Sequence, residues 1–231
     1  MRPTVLFDLD DTLLDFHKAE AAAIRRTLAE VGIHVTDAIV ARYSEINDTH
    51  WKRLEKGELT RTQVLTGRFA QLFSELGVLF SAEKAWNLYE RYLSEGHWFI
   101  EGAEQLLKDL APRYTLCLVS NGTASVQDKR IESAGIAPYF QSIFISQRVG
   151  VNKPSAAFFD YCFAALPHTD RNRTIIVGDS LTSDIQGGRN AGIKTCWFNP
   201  RKVPARADIP ADFEIHTLAA LPTLLTTLFG E

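Results

Sequence analysis

Two carboxylates two residues apart, Asp8 and Asp10, close an apolar run that begins at Val5. Side chains alternate along a strand, so this spacing sends both from the same side of the backbone. Like charges held that close repel unless a cation sits between them or one carries a proton. A divalent metal with an acid/base pair meets both conditions, which marks this strand end as the first place to look for chemistry. Other apolar runs stop at polar groups of matching kind. One ends in Ser120-Asn121-Gly122, another is followed by a loop closing on Lys153-Pro154, and a third ends in Gly178-Asp179-Ser180, with Asp184 five residues past Asp179. A turn or a helix cap explains any one of these; the set points to one crevice. Asp8, Asp10, Asp179 and Asp184 would bring four negative charges there, and Lys153 offsets one. Oxygen ligands of this kind suit Mg2+, which takes one or two carboxylates, keeps several waters and shares a substrate phosphate. With Mg2+ and Lys153 the crevice tolerates a phosphate dianion; without them it repels one.

The elements that must hold these groups follow from periodicity. After the first strand the next strand-like run is 114–120, and the residues between read as four helices: His17 to Val31, Asp37 to Lys56, Arg61 to Leu76 and Ala82 to Gly96. Thr60 and Gln63 have capping-box spacing, and Gly32, Gly57 and Gly77 end their helices. Four helices with short connections can pack as a small bundle. From Glu101 onward helices (102–111, 124–134, 155–166, 184–191) alternate with strands (114–120, 143–146, 174–178, 194–198), and a short strand near 213–216 and a helix 218–229 close the chain. Such alternation predicts a parallel sheet covered on both faces, and the all-apolar runs 116–119 and 174–177 fit strands buried on both sides. Ligands of open α/β sheets bind outside the carboxyl ends of the strands, where the polar groups fall.

The bulk numbers set limits. The 231 residues suit one domain with an insertion, or two domains. A net charge of −3 without a basic run argues against a nucleic acid polymer as partner. Cys117, Cys162 and Cys196 lie far apart inside apolar runs, with no metal-ligand spacing, and read as reduced core residues. Acids arrive at Asp8 before a signal-peptide core could form, and no apolar run approaches the ~20 residues of a membrane span, so a cytoplasmic location without membrane association is expected.

The segments DLDDTL at 8–13, SNG at 120–122, Lys153 before Pro154 and GDSLTSD at 178–184 resemble, in order, the four motifs of the haloacid dehalogenase (HAD) superfamily of phosphohydrolases. The resemblance implies an α/β Rossmann-like parallel core of residues 1–14 and 99–231, with a four-helix cap of the C1 type inserted at 15–98. It implies Asp8 as the nucleophile that becomes an aspartyl phosphate, and Asp10 as the general acid and then base. Lys153 matches the cation beside the nucleophile. Ser120 and Asn121 match the phosphate-binding donors, with Thr12 placed beside them. Mg2+ is implied on Asp8, Asp179 and Asp184 and on the backbone carbonyl of Asp10, with Asp184 either direct or through water. One departure stands out: Ser155-Ala156 follows Lys153-Pro154 where many relatives have an acid and a second proline.

The cap sequence, with 15–20, 47–51 and 58–68, resembles the YjjG-like branch of pyrimidine 5'-nucleotidases, which implies a nucleoside monophosphate as substrate, non-canonical ones included. A base needs a flat apolar face and an amide or guanidinium for its edges. Asn47, His50, Trp51 and Leu54 share a helical stripe that could serve a base or pack a bundle core. Phe16 and His17 follow the first motif closely enough to line an entrance, and Arg68 is a candidate for a base or ribose unless it is a surface arginine. The alternative substrate is a sugar phosphate or other small phosphorylated metabolite, handled by a phosphatase or phosphomutase of the same superfamily. A dehalogenase is disfavoured because those relatives lack the acid at the Asp10 position. A phospho-accepting signalling module has no use for the large cap. A monomer or homodimer is compatible with the sequence.

Overall fold

A computed structural model describes residues 2–230; Met1 and Glu231, the outermost residues of the expected core domain, lie outside them. The chain forms two compact units, one made of the segments up to Asp15 and from Trp98 onward, the other of Phe16–His97.

In the first unit β1 (Thr4–Phe7) leads into the segment that leaves for the second unit. The helices of that second unit are α1 (Phe16–Glu30), α2 (Asp37–Glu55), α3 (Arg61–Leu76) and α4 (Ala82–Leu93). On return, α5 (Ala103–Leu110), β2 (Thr115–Ser120), α6 (Ala124–Ser133), β3 (Ser142–Ile145), α7 (Ser146–Val149) and α8 (Ala156–Ala164) follow. Then come β4 (Thr174–Gly178), a π-helical turn at Leu181–Ile185, α9 (Gln186–Asn190), β5 (Lys194–Phe198), β6 (Phe213–Ile215) and α10 (Leu221–Phe229). Among the described residues the six strands form one parallel sheet in the order β3-β2-β1-β4-β5-β6. The order reverses direction between β1 and β4, and such a switch point opens a crevice at the carboxyl ends.

Strand periodicity explains why these runs are apolar throughout. Val5, Phe7, Leu116, Leu118, Ile175, Val177, Cys196 and Phe198 face one core layer, with Leu106, Leu107, Leu221 and Leu225 from the covering helices. Leu6, Cys117, Val119 and Ile176 face the other, against Phe158, Phe159 and Cys162 of α8. Each fully buried aliphatic or aromatic side chain contributes about 1.5–3 kcal/mol.

The second unit pairs α1 with α4 and α2 with α3. The starts of α2, α3 and α4 are capped by side chains: Thr36 accepts from the Ile39 N–H at 3.3 Å, Ser81 accepts from Lys84 at 3.3 Å, and Thr60 forms the full reciprocal box with Gln63. Gly77 ends α3 in the left-handed region at φ 66°, where a side chain would be strained. Tyr43, Phe69 and Tyr89 form a ring cluster with centroids 5.2–5.6 Å apart.

The structure departs from the periodicity at functional places. β1 stops at Phe7, so Asp8 and Asp10 do not share a strand face; residues 9–14 form a tight turn, with Leu13 and Leu14 N–H both on the Leu9 carbonyl and Asp11 at φ 57°. The helix expected from 184 starts at Gln186, because Leu181–Ile185 winds more widely. The short helix α7 was not expected.

Candidate active site

Lys153 organises the crevice. Its ammonium donates to Asp8 Oδ1 at 2.7 Å, Asp184 Oδ1 at 2.6 Å and the Val119 carbonyl at 2.7 Å, so all three of its protons are used. The side chain is 1 % exposed. A lysine buried to this degree keeps its charge only through such partners. Burial works against the ammonium, and Asp184 and Asp8 more than offset it, so its pKa lies above the ordinary range. The loop that carries it is fastened by Asn121, which accepts from Lys153 N–H at 2.9 Å and donates to the Lys153 carbonyl at 2.9 Å. The Lys153–Pro154 peptide is cis.

Asp8, Asp179 and Asp184 each bring a carboxylate oxygen within 4.8 Å of the others. Burial raises the pKa of Asp8, with Asp184 and Asp10 adding to it against the pull of Lys153. Burial, then Asp8 and Asp184, raise that of Asp179. Asp184 is held from its other side by the Ser180 N–H at 3.1 Å. It can approach only because residue 178 is glycine: a Cβ there would lie 2.2 Å from Asp184 Oδ2. The Asp179 main chain is pinned by the Trp197 indole, which donates to its carbonyl at 2.8 Å. Three acids facing one committed ammonium form a donor set that lacks positive charge, and hard oxygen donors at this spacing fit Mg2+.

Asp10 takes a different environment. Gln127 Nε2 donates to Asp10 Oδ2 at 2.6 Å, and Arg130 pairs with Asp10 Oδ1. Its carboxylate is therefore outside the three-acid group, and it remains partly exposed. Ser120 lies beside it, its Oγ accepting from the Gly122 N–H at 3.1 Å and from Gln127 Nε2 at 2.9 Å.

Asp8, Asp10, Ser120, Lys153, Asp179 and Asp184 are thus brought together at the ends of β1, β2 and β4 and the loop before α8. Two expectations change. Thr12, expected to bind phosphate, is fully buried behind Asp8: its hydroxyl donates to Asp8 Oδ2 at 3.3 Å and accepts from Asp179 N–H at 3.2 Å. Asn121, expected as a phosphate donor, spends its carboxamide on Lys153 and on Ser183 Oγ at 3.2 Å. In the helical unit, Asn47 and Arg68 are interior. Arg68 donates to Asn47 Oδ1 at 2.7 Å, Asn47 donates to the buried Glu20 at 2.7 Å, and the guanidinium lies 4.7 Å from the Tyr89 ring centroid. Phe16 and Trp51 are half-buried and His17 is exposed; Arg61 lies over the Trp51 ring at 5.5 Å. Sequence reasoning missed Gln127 and Arg130. The available signal was that both fall on the stripe of α6 that carries Ile131, polar residues on a buried face.

The family profile of haloacid dehalogenase-like hydrolases matches residues 5–198. The chain belongs to this family. This HAD hydrolase is 40 % identical to YfnB of Bacillus subtilis, described as a HAD-hydrolase, over 96 % of its own length and 94 % of that protein. It is 35 % identical to the pyrimidine 5'-nucleotidase PynA of Streptococcus pneumoniae (92 % and 90 % covered). With the pyrimidine 5'-nucleotidase YjjG of Escherichia coli the identity is 30 % (96 % of each). A crystal structure of YfnB bound to magnesium, described as revealing interdomain movement, superposes with a TM-score of 0.93 at 39 % identity, over 97 % of this chain and 98 % of that one. This HAD hydrolase is an enzyme of the phosphatase kind, and none of its described helices is long and apolar enough to cross a membrane.

Proposed function

We propose that this phosphatase is a Mg2+-dependent 5'-nucleotidase acting on pyrimidine nucleoside monophosphates, non-canonical ones included, through a phosphorylated Asp8. The observation that carries the chemistry is the Lys153 ammonium shared between Asp8 and Asp184, with the Asp179 carboxylate turned toward the same pair. The names of PynA and YjjG support the substrate. Asp8, Asp179 and Asp184 would hold Mg2+, with the Asp10 carbonyl as a further oxygen. When bound, the ion supplies the positive charge that keeps these acids ionised and balances the phosphoryl oxygens.

The residues divide the work. An Asp8 carboxylate oxygen attacks phosphorus as the bond from phosphorus to the ribose 5'-oxygen breaks, and that oxygen takes its proton from the Asp10 carboxyl group. Asp10, now a carboxylate, removes a proton from water; the water oxygen attacks phosphorus, the bond to Asp8 breaks, and inorganic phosphate leaves. Lys153 orients Asp8 and offsets charge on the transferring group. The Ser120 hydroxyl and the main-chain N–H of Asn121 bind phosphoryl oxygens. Residues 15–98 act as the specificity domain, with Phe16, His17 and Trp51 as base-recognising side chains and Asn47 and Arg68 supporting them from the interior.

Phosphate release from a panel of nucleoside monophosphates and sugar phosphates, with Mg2+ and with chelator, tests the reading. Pyrimidine monophosphates are expected to lead in kcat/KM, with no turnover under chelation. A sugar phosphate hydrolysed better than every nucleotide would replace the nucleotidase reading, and substantial turnover by Asp8→Asn would overturn the covalent route.

A further inference from the structure

We propose that Gln127 and Arg130 of α6 are positioning residues that hold the Asp10 carboxylate and the Ser120 hydroxyl in working orientation. The inference rests on the reaction proposed above and assigns these two residues a part in it. The hydrogen bonds interlock. The two protons of the Gln127 amide go to Asp10 Oδ2 and Ser120 Oγ, at 2.6 and 2.9 Å. The two protons of Arg130 Nη1 go to Asp10 Oδ1 and to Gln127 Oε1, the latter at 2.9 Å. Each Asp10 oxygen therefore receives its own donor, and the two donors are bonded to each other. The amide orientation is fixed by the same bonds, since a flipped Gln127 would turn its oxygen toward a carboxylate and its NH2 toward a guanidinium. Arg130 is fully buried and Gln127 is 2 % exposed, so neither can move aside into solvent.

Ser120 feels the arrangement as well. Its oxygen accepts from Gln127 and from the Gly122 N–H. With both lone pairs occupied, its own proton is left to donate, which is what a phosphoryl oxygen requires. Room for this bracket depends on Gly122. A Cβ at that position would come 2.4 Å from Gln127 Nε2 and 2.7 Å from the Gln127 side-chain carbons. Gly122 has no positive φ to account for it, so the space is what the glycine provides. Three parts of the chain, 8–10, 120–122 and 127–130, are thus tied through one amide. The acid that must face the leaving oxygen and the hydroxyl that must face the phosphoryl group keep a fixed separation.

Gln127→Met keeps size and removes both donors; Arg130→Lys keeps charge and removes the planar fork. Both are compared with wild type by thermal melting, by steady-state hydrolysis of an alkyl phosphate (a nucleoside 5'-monophosphate), and by rapid mixing with p-nitrophenyl phosphate. A nitrophenolate leaving group needs little protonation, so the first step with it does not depend on Asp10, whereas water activation in the second step does. For Gln127→Met we expect kcat on the alkyl phosphate to fall about 100-fold with KM changed less than about threefold, the size of a general acid–base contribution. With the aryl phosphate we expect a nitrophenolate burst of one per enzyme before a slowed steady state. Arg130→Lys should retain more activity than Gln127→Met. A variant that melts like wild type and keeps wild-type kcat on the alkyl phosphate overturns the positioning role. So does equal loss of burst and steady state on the aryl phosphate, which marks a general disturbance of the site. A wild-type enzyme that releases no phosphate from any phosphomonoester overturns the reaction and this role together.

Discussion

At the scale of single residues, the site is an exercise in crowding acids. Lys153 lies between two buried carboxylates and uses every proton it has. Lys153→Met would leave Asp8 and Asp184 facing each other without compensation. Breaking a buried pair in this way costs about 3–5 kcal/mol, so a large drop in melting temperature together with lost turnover is expected, both read on the purified variant. Asp179→Asn removes one oxygen anion from the three-acid group while preserving shape; the Mg2+ concentration giving half-maximal activity should rise roughly tenfold or more. A titration curve matching wild type would remove Asp179 from the ligand set. The acids and Lys153 were legible in the sequence because their types are costly where an apolar strand ends. Gln127 and Arg130 were not, since an amide and a guanidinium on a helix read as solvent-facing until the neighbouring turn is known. Thr12 was misread for a related reason: a hydroxyl inside an acidic motif suggests a ligand contact, and only the fold reveals that it joins Asp8 to the Asp179 backbone.

At the scale of elements, the chain states its helix starts well. Arg61–Leu76 follows from Thr60, Gln63 and Gly77, and the structure contains both bonds of that capping box, with Thr60 N–H on Gln63 Oε1 at 2.8 Å. Thr60→Ala removes the cap, for which about 1 kcal/mol is expected. In a chain of this length that lowers the melting temperature by roughly 2–4 °C, while kcat should change little because the cap bonds join Thr60 to Gln63. A calorimetric scan of the variant beside wild type measures it. The elements that periodicity misplaced are those bent by chemistry. β1 ends one residue before Asp8 because the turn through Asp11 must return the chain, and the π-helical winding at Leu181–Ile185 sets Asp184 against Lys153. Neither has an apolar rhythm to announce it.

At the scale of the molecule, the two core layers enclose all three thiols. Burial pushes Cys117, Cys162 and Cys196 each up to about 12. In the unfolded chain thiols ionise near pH 8.5. Between these values the unfolded state releases protons that the folded state retains. Each thiol's contribution is therefore complete below about pH 8.5 and is lost as the pH climbs toward 12, at up to about 1.4 kcal/mol per pH unit per thiol. Denaturant midpoints should fall steeply from pH 9 to 11, and the fall should become shallower in Cys162→Ala. The same burial predicts that iodoacetamide labels the thiols only after unfolding. Alternation of strands and helices made the parallel sheet legible, yet the order β3-β2-β1-β4-β5-β6 was not, because periodicity does not tell on which side of β1 a later strand is laid.

Gly122 and Gly178 have in common that a methyl group at either would collide with a polar side chain of the helical turn that follows it, Gln127 in one case and Asp184 in the other. A saturation mutagenesis screen should rank both with the reactive aspartates, although neither lends an atom to the reaction. What selection would be protecting at those two positions is a small volume of nothing.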